Sequence, residues 1–163
     1  MEIKTVISTR EAKNLSVTYR DETNIEAMQK MDVKHIHAYC FYGDKLVVCR
    51  DEGKNYWTFP GGGIEPGESI EEAVIREVHE ESNMRVIKQQ LIGYQEIEEM
   101  TGKLTRQTRS VCIVEPYGEF FGDPDGDITE IKLIDPSDYK QYVDWGVVGD
   151  HVIKEAVRLY KTI

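Results

Sequence analysis

No stretch of this sequence approaches the roughly 20 consecutive apolar residues that a membrane-spanning helix requires. The opening MEIKTVISTR lacks the apolar centre of a secretory signal. Positive charge is also scarce: 20 Lys and Arg stand against 30 Asp and Glu, a net charge of −10 over 163 residues. That balance disfavours a protein gripping nucleic acid through broad phosphate neutralisation. If the substrate is itself a polyanion, a divalent cation or a local basic patch has to bring the two together. There are three cysteines (Cys40, Cys49 and Cys112), which cannot all pair internally, and each lies in an apolar run. Reduced thiols in a cytoplasmic protein are the simple expectation. Repeats, low-complexity tracts and Pro/Gly/Ser-rich linkers are absent too. With 40% apolar and 9% aromatic residues the chain has the material for a folded core.

What is present reads as strands with a few helices, an α+β or mixed α/β class. Residues 1–34 are the least legible part: EIKTVIS and LSVTYR resemble short strands, and NIEAMQKM a helical turn or two. They form an arm that either packs on the domain or reaches a second subunit, which leaves a homodimer open. The main domain is expected over 35–163. HIHAYCFY and KLVVCR flank Gly43-Asp44 as a hairpin. YWTF is a short strand leading into the glycine-rich loop PGGGIEPGE. MRVIKQQLIGYQEIEE and KLTRQTRSVCIVEPYG flank Thr101-Gly102 as a long antiparallel pair, and ITEIKLID is a further strand. Asp135 and Pro136 suit the start of a short helix, and HVIKEAVRLYK a helix following Asp150.

The most sharply signalled element is a helix over about 70–82. Ser69 and Glu72 make a capping box, and Asn83 suits the left-handed position after its end. At 100° per residue, Ile70, Ala73 and Val74 share one face, with Val78 at its edge. Further along, that stripe turns acidic. Glu77, Glu80 and Glu81 stand at i, i+3 and i+4, where like charges repel and also face the negative end of the helix dipole. One hard divalent cation converts these liabilities into ligands. The alternative reading is a solvated, glutamate-rich helix face, with Arg76 pairing to Glu72 or Glu80. Before the helix, three consecutive glycines allow positive φ and close approach of a ligand, and the helix N–H groups favour anions. Taken alone, such a loop can be only a turn.

Together these pieces resemble the signature of the Nudix hydrolase family. Gly62, five residues, Glu68, seven residues, then Arg76-Glu77-Val78-His79-Glu80-Glu81-Ser82-Asn83-Met84 follows G-x5-E-x7-R-E-U-x-E-E-x-G-U, with Asn83 in place of the late glycine. The resemblance implies a Nudix fold, a curled mixed sheet sandwiched between α-helices. It implies Mg²⁺- or Mn²⁺-dependent hydrolysis of a phosphoanhydride in a nucleoside diphosphate linked to another moiety, a small-molecule rather than a nucleic-acid substrate. A non-catalytic nucleotide- or metabolite-sensing module is the alternative. By position, Glu77, Glu80 and Glu81 would hold the metal, with the Gly61 or Gly62 carbonyl as a further ligand. Arg76 would orient a neighbouring glutamate, and Glu68 would support Arg76. Glu77 or Glu80 could take the proton from water. In many relatives that acid, or an extra ligand, lies on a later loop, for which Asp125, Asp127, Glu115 and above all Glu130 are the candidates. Lys103, Arg106 and Arg109, along or near one strand, and Gly61 are candidates for phosphate contacts, a solvated strand face being the alternative for the basic residues. Tyr56, Trp57, Tyr94, Phe120 and Phe121 could stack on a base, but core packing is the expectation for most of them and for Trp57 in particular, and His35 and His37 are expected to be structural.

Overall fold

The computed structural model describes residues 1–9 and 11–163. Its strands are β1 (Glu2–Ile7), β2 (Leu15–Asp21), β3 (Val33–Tyr42), β4 (Lys45–Asp51), β5 (Tyr56–Thr58), β6 (Gly61–Gly63), β7 (Met84–Glu98), β8 (Leu104–Pro116) and β9 (Ile128–Ile134). The α-helices are α1 (Ile25–Gln29), α2 (Ile70–Ser82) and α3 (Gly146–Leu159), and Pro136–Gln141 forms a 3-10 helix. All strands join one sheet in the order β1-β2-β7-β8-β3-β4-β5, with β6 also on β3 and β9 also on β4. Among the described residues only the β3–β8 pairing is parallel; the others are antiparallel. The sheet is therefore mixed, and residues 2–7 and 15–21 continue it through the β2–β7 pairing.

β3 explains how one sheet carries two cores. Successive side chains alternate between faces. Ile36, Ala38 and Cys40 pack with Val74 and Val78 of α2, whereas Tyr39 and Phe41 pack with Val152 and Ala156 of α3. Both sets are fully buried, so β3 reads as a near-continuous apolar run, as a strand covered on both sides must. All three cysteines are free and buried, on the face toward α2. No helix among the described residues is long and apolar enough to cross a membrane.

α2 has the bounds its sequence signals require. Ser69 and Glu72 exchange the reciprocal hydrogen bonds of a capping box, and Asn83 adopts φ 52°, ψ 41° beyond the last turn. α3, in contrast, begins at Gly146 rather than after Asp150. Two glycines and two valines make its first turn a poor helix former. Burial of Val148 and Gly149 beside Val152 and Ile153 draws that turn into the helix. The three consecutive glycines of PGGGIEPGE also depart from expectation, whereas Gly67 has φ 79°. Gly61, Gly62 and Gly63 are a strand on β3, and none has positive φ.

Candidate active site

Space decides why these positions are glycine. A Cβ on Gly61 would lie 2.3 Å from the Ile36 carbonyl oxygen and 2.6 Å from the His37 ring. A Cβ on Gly62 would lie 2.3 Å from a Glu77 carboxylate oxygen. Without side chains, β6 slides between β3 and the last turns of α2. In an antiparallel pair, N–H and C=O groups alternate between facing the partner strand and facing away. Pro60 and Ile64 bond to β3 through Ala38 N–H and the Lys34 carbonyl. The alternation therefore turns Gly62 toward Ile36, its register partner, and Gly61 and Gly63 outward. Gly61 N–H accordingly donates to Glu81 Oε1 at 2.9 Å, and the Gly63 carbonyl accepts from Arg76 Nη2 at 2.8 Å. Of the two carbonyls expected as a further ligand, that of Gly62 faces the ladder and that of Gly61 faces outward, on the same side as the N–H that meets Glu81.

Arg76 ties the helix to this loop. Its guanidinium meets Glu68 through two parallel bonds, Nε to Oε2 at 2.7 Å and Nη2 to Oε1 at 2.9 Å. Nη1 reaches Glu77 Oε1 at 2.7 Å and Glu80 Oε2 at 3.4 Å. These charge-assisted bonds raise the Arg76 pKa, Glu68 contributing most, and lower that of Glu68. Glu77 and Glu81 are buried; Glu80, with 46% of its side chain exposed, faces solvent. Burial raises the Glu77 carboxyl, opposed by Arg76 and reinforced by Glu80 and Asp123. Burial pushes Glu81 up to about 8, against the Gly61 N–H, with Glu77, Asp123 and Asp51 adding to the rise. Removing solvent from a carboxylate disfavours its charged form, and neighbouring acids add to that cost. The carboxylates at this point are hard oxygen donors, which suits Mg²⁺ or Mn²⁺ chemically. They are not yet gathered into a cage: no group of three or more His, Cys, Asp or Glu among the described residues stands close enough together to hold an ion.

The structure thus brings Arg76, Glu77, Glu80, Glu81, Gly61 and Gly62 together. It does not bring Glu130 to them. Glu130 lies opposite Arg50 on β9, while Cys49, Ile131 and Asp51 mark the face toward α2. A bulge between Arg50 and Asp51 sets this phase, so Glu130 points to the other side of the sheet. Glu115 is engaged with Arg85, and Asp127 crowds Gly53. The loop acid that does approach the cluster is Asp123, whose N–H donates to the Ile128 carbonyl at 2.8 Å and whose carbonyl accepts from Gly126. No spacing in the sequence separated Asp123 from Asp125 or Asp127. Arg106 and Arg109 also part company. They are three residues apart on a strand and so face opposite sides. Arg106 pairs with Glu96 at 2.8 Å. Arg109 is buried under Trp145, its guanidinium 5.3 Å from that ring. Trp57, Tyr94 and Phe120 pack in the cores, whereas Phe121 is exposed.

With this geometry, a family model for the NUDIX domain matches residues 31–154. The chain belongs to the Nudix family. Among its Nudix relatives, YtkD of Bacillus subtilis (strain 168), provisionally named an 8-oxo-dGTP diphosphatase, is 42% identical over 60 residues. That alignment covers 37% of each chain. An RNA pyrophosphohydrolase of Shewanella frigidimarina (strain NCIMB 400) is 32% identical over 105 residues, covering 62% of this chain and 60% of the relative. The chain thus spans less than two thirds of these relatives' lengths. The fold aligns over 97% of this chain and 98% of a crystallised Bacillus subtilis pyrophosphohydrolase, with TM-score 0.70 at 19% identity.

Proposed function

We propose that the chain is a divalent-metal-dependent pyrophosphohydrolase, cutting a phosphoanhydride in a nucleoside diphosphate linked to another moiety. The observation that carries this reading is the burial of Glu77 and Glu81 beside Asp123 and Asp51, with Arg76 the cation bonded to the group. Carboxylates so placed are stable in their charged forms only with a further cation among them. Glu77, Glu80, Glu81 and the Gly61 carbonyl would hold Mg²⁺ or Mn²⁺. When bound, the metal offsets phosphate charge and acidifies water. The chain's own residues do the rest. Arg76, held by Glu68, fixes the direction of Glu77. The Gly61 N–H holds Glu81 against β6. Asp123, approaching from its loop, replaces Glu130 as the acid that takes a proton from the attacking water. A net charge of −10 makes cation-assisted binding of a polyphosphate a requirement rather than an embellishment.

The test is a hydrolysis screen over nucleoside triphosphates, nucleotide sugars, ADP-ribose and dinucleoside polyphosphates with Mg²⁺, against the same screen with chelator. Release of phosphate, pyrophosphate or nucleotide that vanishes with chelator is expected. Metal-independent turnover, or none on any compound, overturns the reading. Within an active enzyme, Asp123→Asn is expected to lower kcat at least ~10-fold, toward the loss of a general base. Glu130→Gln is expected to stay within about twofold, because it faces the wrong side of the sheet. The reverse ranking would restore Glu130.

A further inference from the structure

Behind β6, on the face toward α3, lies a second group of polar side chains that the chemistry above does not use. Arg109 is 3% exposed, and Tyr19 and Tyr39 are fully buried. Among the described residues, Arg109 Nε, Tyr19 Oη, Tyr39 Oη and His37 Nδ1 are buried without hydrogen-bond partners. They converge. The Tyr19 hydroxyl lies over Gly93, 2.2 Å from where its Cβ would be, and Gly93 is directly across the β7–β8 ladder from Arg109. His37 is across the β3–β8 ladder from Arg109, and Tyr39 faces the same guanidinium. The other Arg109 nitrogens donate to the Thr108 carbonyl at 3.0 Å and Gln107 Oε1 at 3.2 Å, and neither bond supplies a counter-charge. The Tyr39 hydroxyl lies within reach of the guanidinium and Asp21 faces the Tyr19 hydroxyl, but no carboxylate meets Arg109 itself, and a buried cation without an anion is costly as it stands. It is favourable once an acceptor enters.

Burial holds the Tyr39 phenol up at about 12, against the charge of Arg109, and burial together with Asp21 raises that of Tyr19, so both keep their protons. Burial, then the charge of Arg109, keeps His37 neutral. One half-buried ring lies over part of the group. Trp145 packs 4.9 Å from His37 and 5.3 Å from Phe59. It precedes α3 without a side-chain cap bond and is followed by Gly146 at φ 63°, a pivot a larger residue would resist. The position also has a bearing on the phosphates. His37 stands between Arg109 on β8 and Gly61 on β6, whose N–H holds Glu81.

We infer that these donors receive the oxo edge of the substrate's base, with Trp145 as the swinging cover that stacks on it, so that nucleotides of guanine or uracil are selected over those of adenine or cytosine. This rests on the pyrophosphohydrolase reading for the phosphate end alone. Guanine offers two adjacent acceptors, O6 and N7, to a guanidinium, and uracil offers O4. Adenine and cytosine place an amino donor at that edge, against other donors.

Trp145 supplies its own probe, since Trp57 is the one other tryptophan in the sequence. In a Trp57→Phe background, metal-free titration with GDP or UDP is expected to change Trp145 emission at concentrations at least about tenfold below those of ADP or CDP. Tyr39→Phe keeps the ring and removes one donor, and is expected to shrink that preference about fivefold. Arg109→Gln should remove most of it, and kcat/KM for GTP over ATP should follow the same order. Equal affinity for all four diphosphates, or binding that leaves Trp145 emission unchanged, overturns the inference. Selective binding without any metal-dependent hydrolysis would leave it standing while sinking the proposed function.

Discussion

Replacing Glu80 by Gln is expected to lower kcat at least ~10²-fold, while the metal-free protein melts at essentially the parent temperature. The two halves of this expectation come from different features of one side chain. Glu80 is 46% exposed and its long 3.4 Å contact with Arg76 is an i,i+4 pair, worth about 0.3–0.5 kcal/mol in a helix. Nothing in the fold depends on its charge. Loss of a charged metal ligand costs the transition state a few kcal/mol, and each 1.36 kcal/mol is a factor of ten. Steady-state kinetics with saturating Mg²⁺, alongside thermal melting with chelator, separates the two. Activity within tenfold of the parent would remove Glu80 from the ligand set. A large drop in metal-free melting temperature would make its role structural.

How much of this was legible in the sequence depends on the range of the forces involved. α2 was readable to the residue, because its capping box, apolar stripe and left-handed Asn83 are all local. The hairpins at Gly43 and Gly102 were readable for the same reason, both glycines having positive φ. The glycine run was read as positive-φ loop, yet its glycines serve close approach, which depends on Ile36, His37 and Glu77 arriving from elsewhere. Arg106 and Arg109 look like neighbours in a line of basic residues, but an odd spacing on a strand separates them by the thickness of the sheet. Glu130 lies in a legible strand, but the bulge opposite Arg50 and Asp51 that turns it away from α2 is not legible, and nothing local marks Asp123 among the acids of its loop. The helix was thus predictable, and what closes over it was not, since that is set by long-range register.

Glu81 gives the other large effect, and its sign is opposite to that of an ordinary salt-bridged carboxylate. Its pKa, ordinarily near 4.3, is pushed up by burial to about 8. Between those values the folded protein binds more protons than the unfolded chain, so stability falls as pH rises through that window. Below about 4.3 the contribution is fully present, and above about 8 it is lost. Glu81→Gln keeps an oxygen for the Gly61 N–H and never takes the charge. Metal-free, it is expected to exceed the parent at pH 8 by on the order of 2 kcal/mol, or about 4–8 °C in melting temperature, and the gap should close toward pH 4–5. Mg²⁺ at pH 8 should raise the parent's melting temperature by linkage and move the variant far less, with kcat down at least ~10²-fold. If the variant melts well below the parent at pH 8 without metal, the Glu81 charge is already stabilised by the fold. In that case no cation is needed among these carboxylates, and the helix carries only an acidic surface.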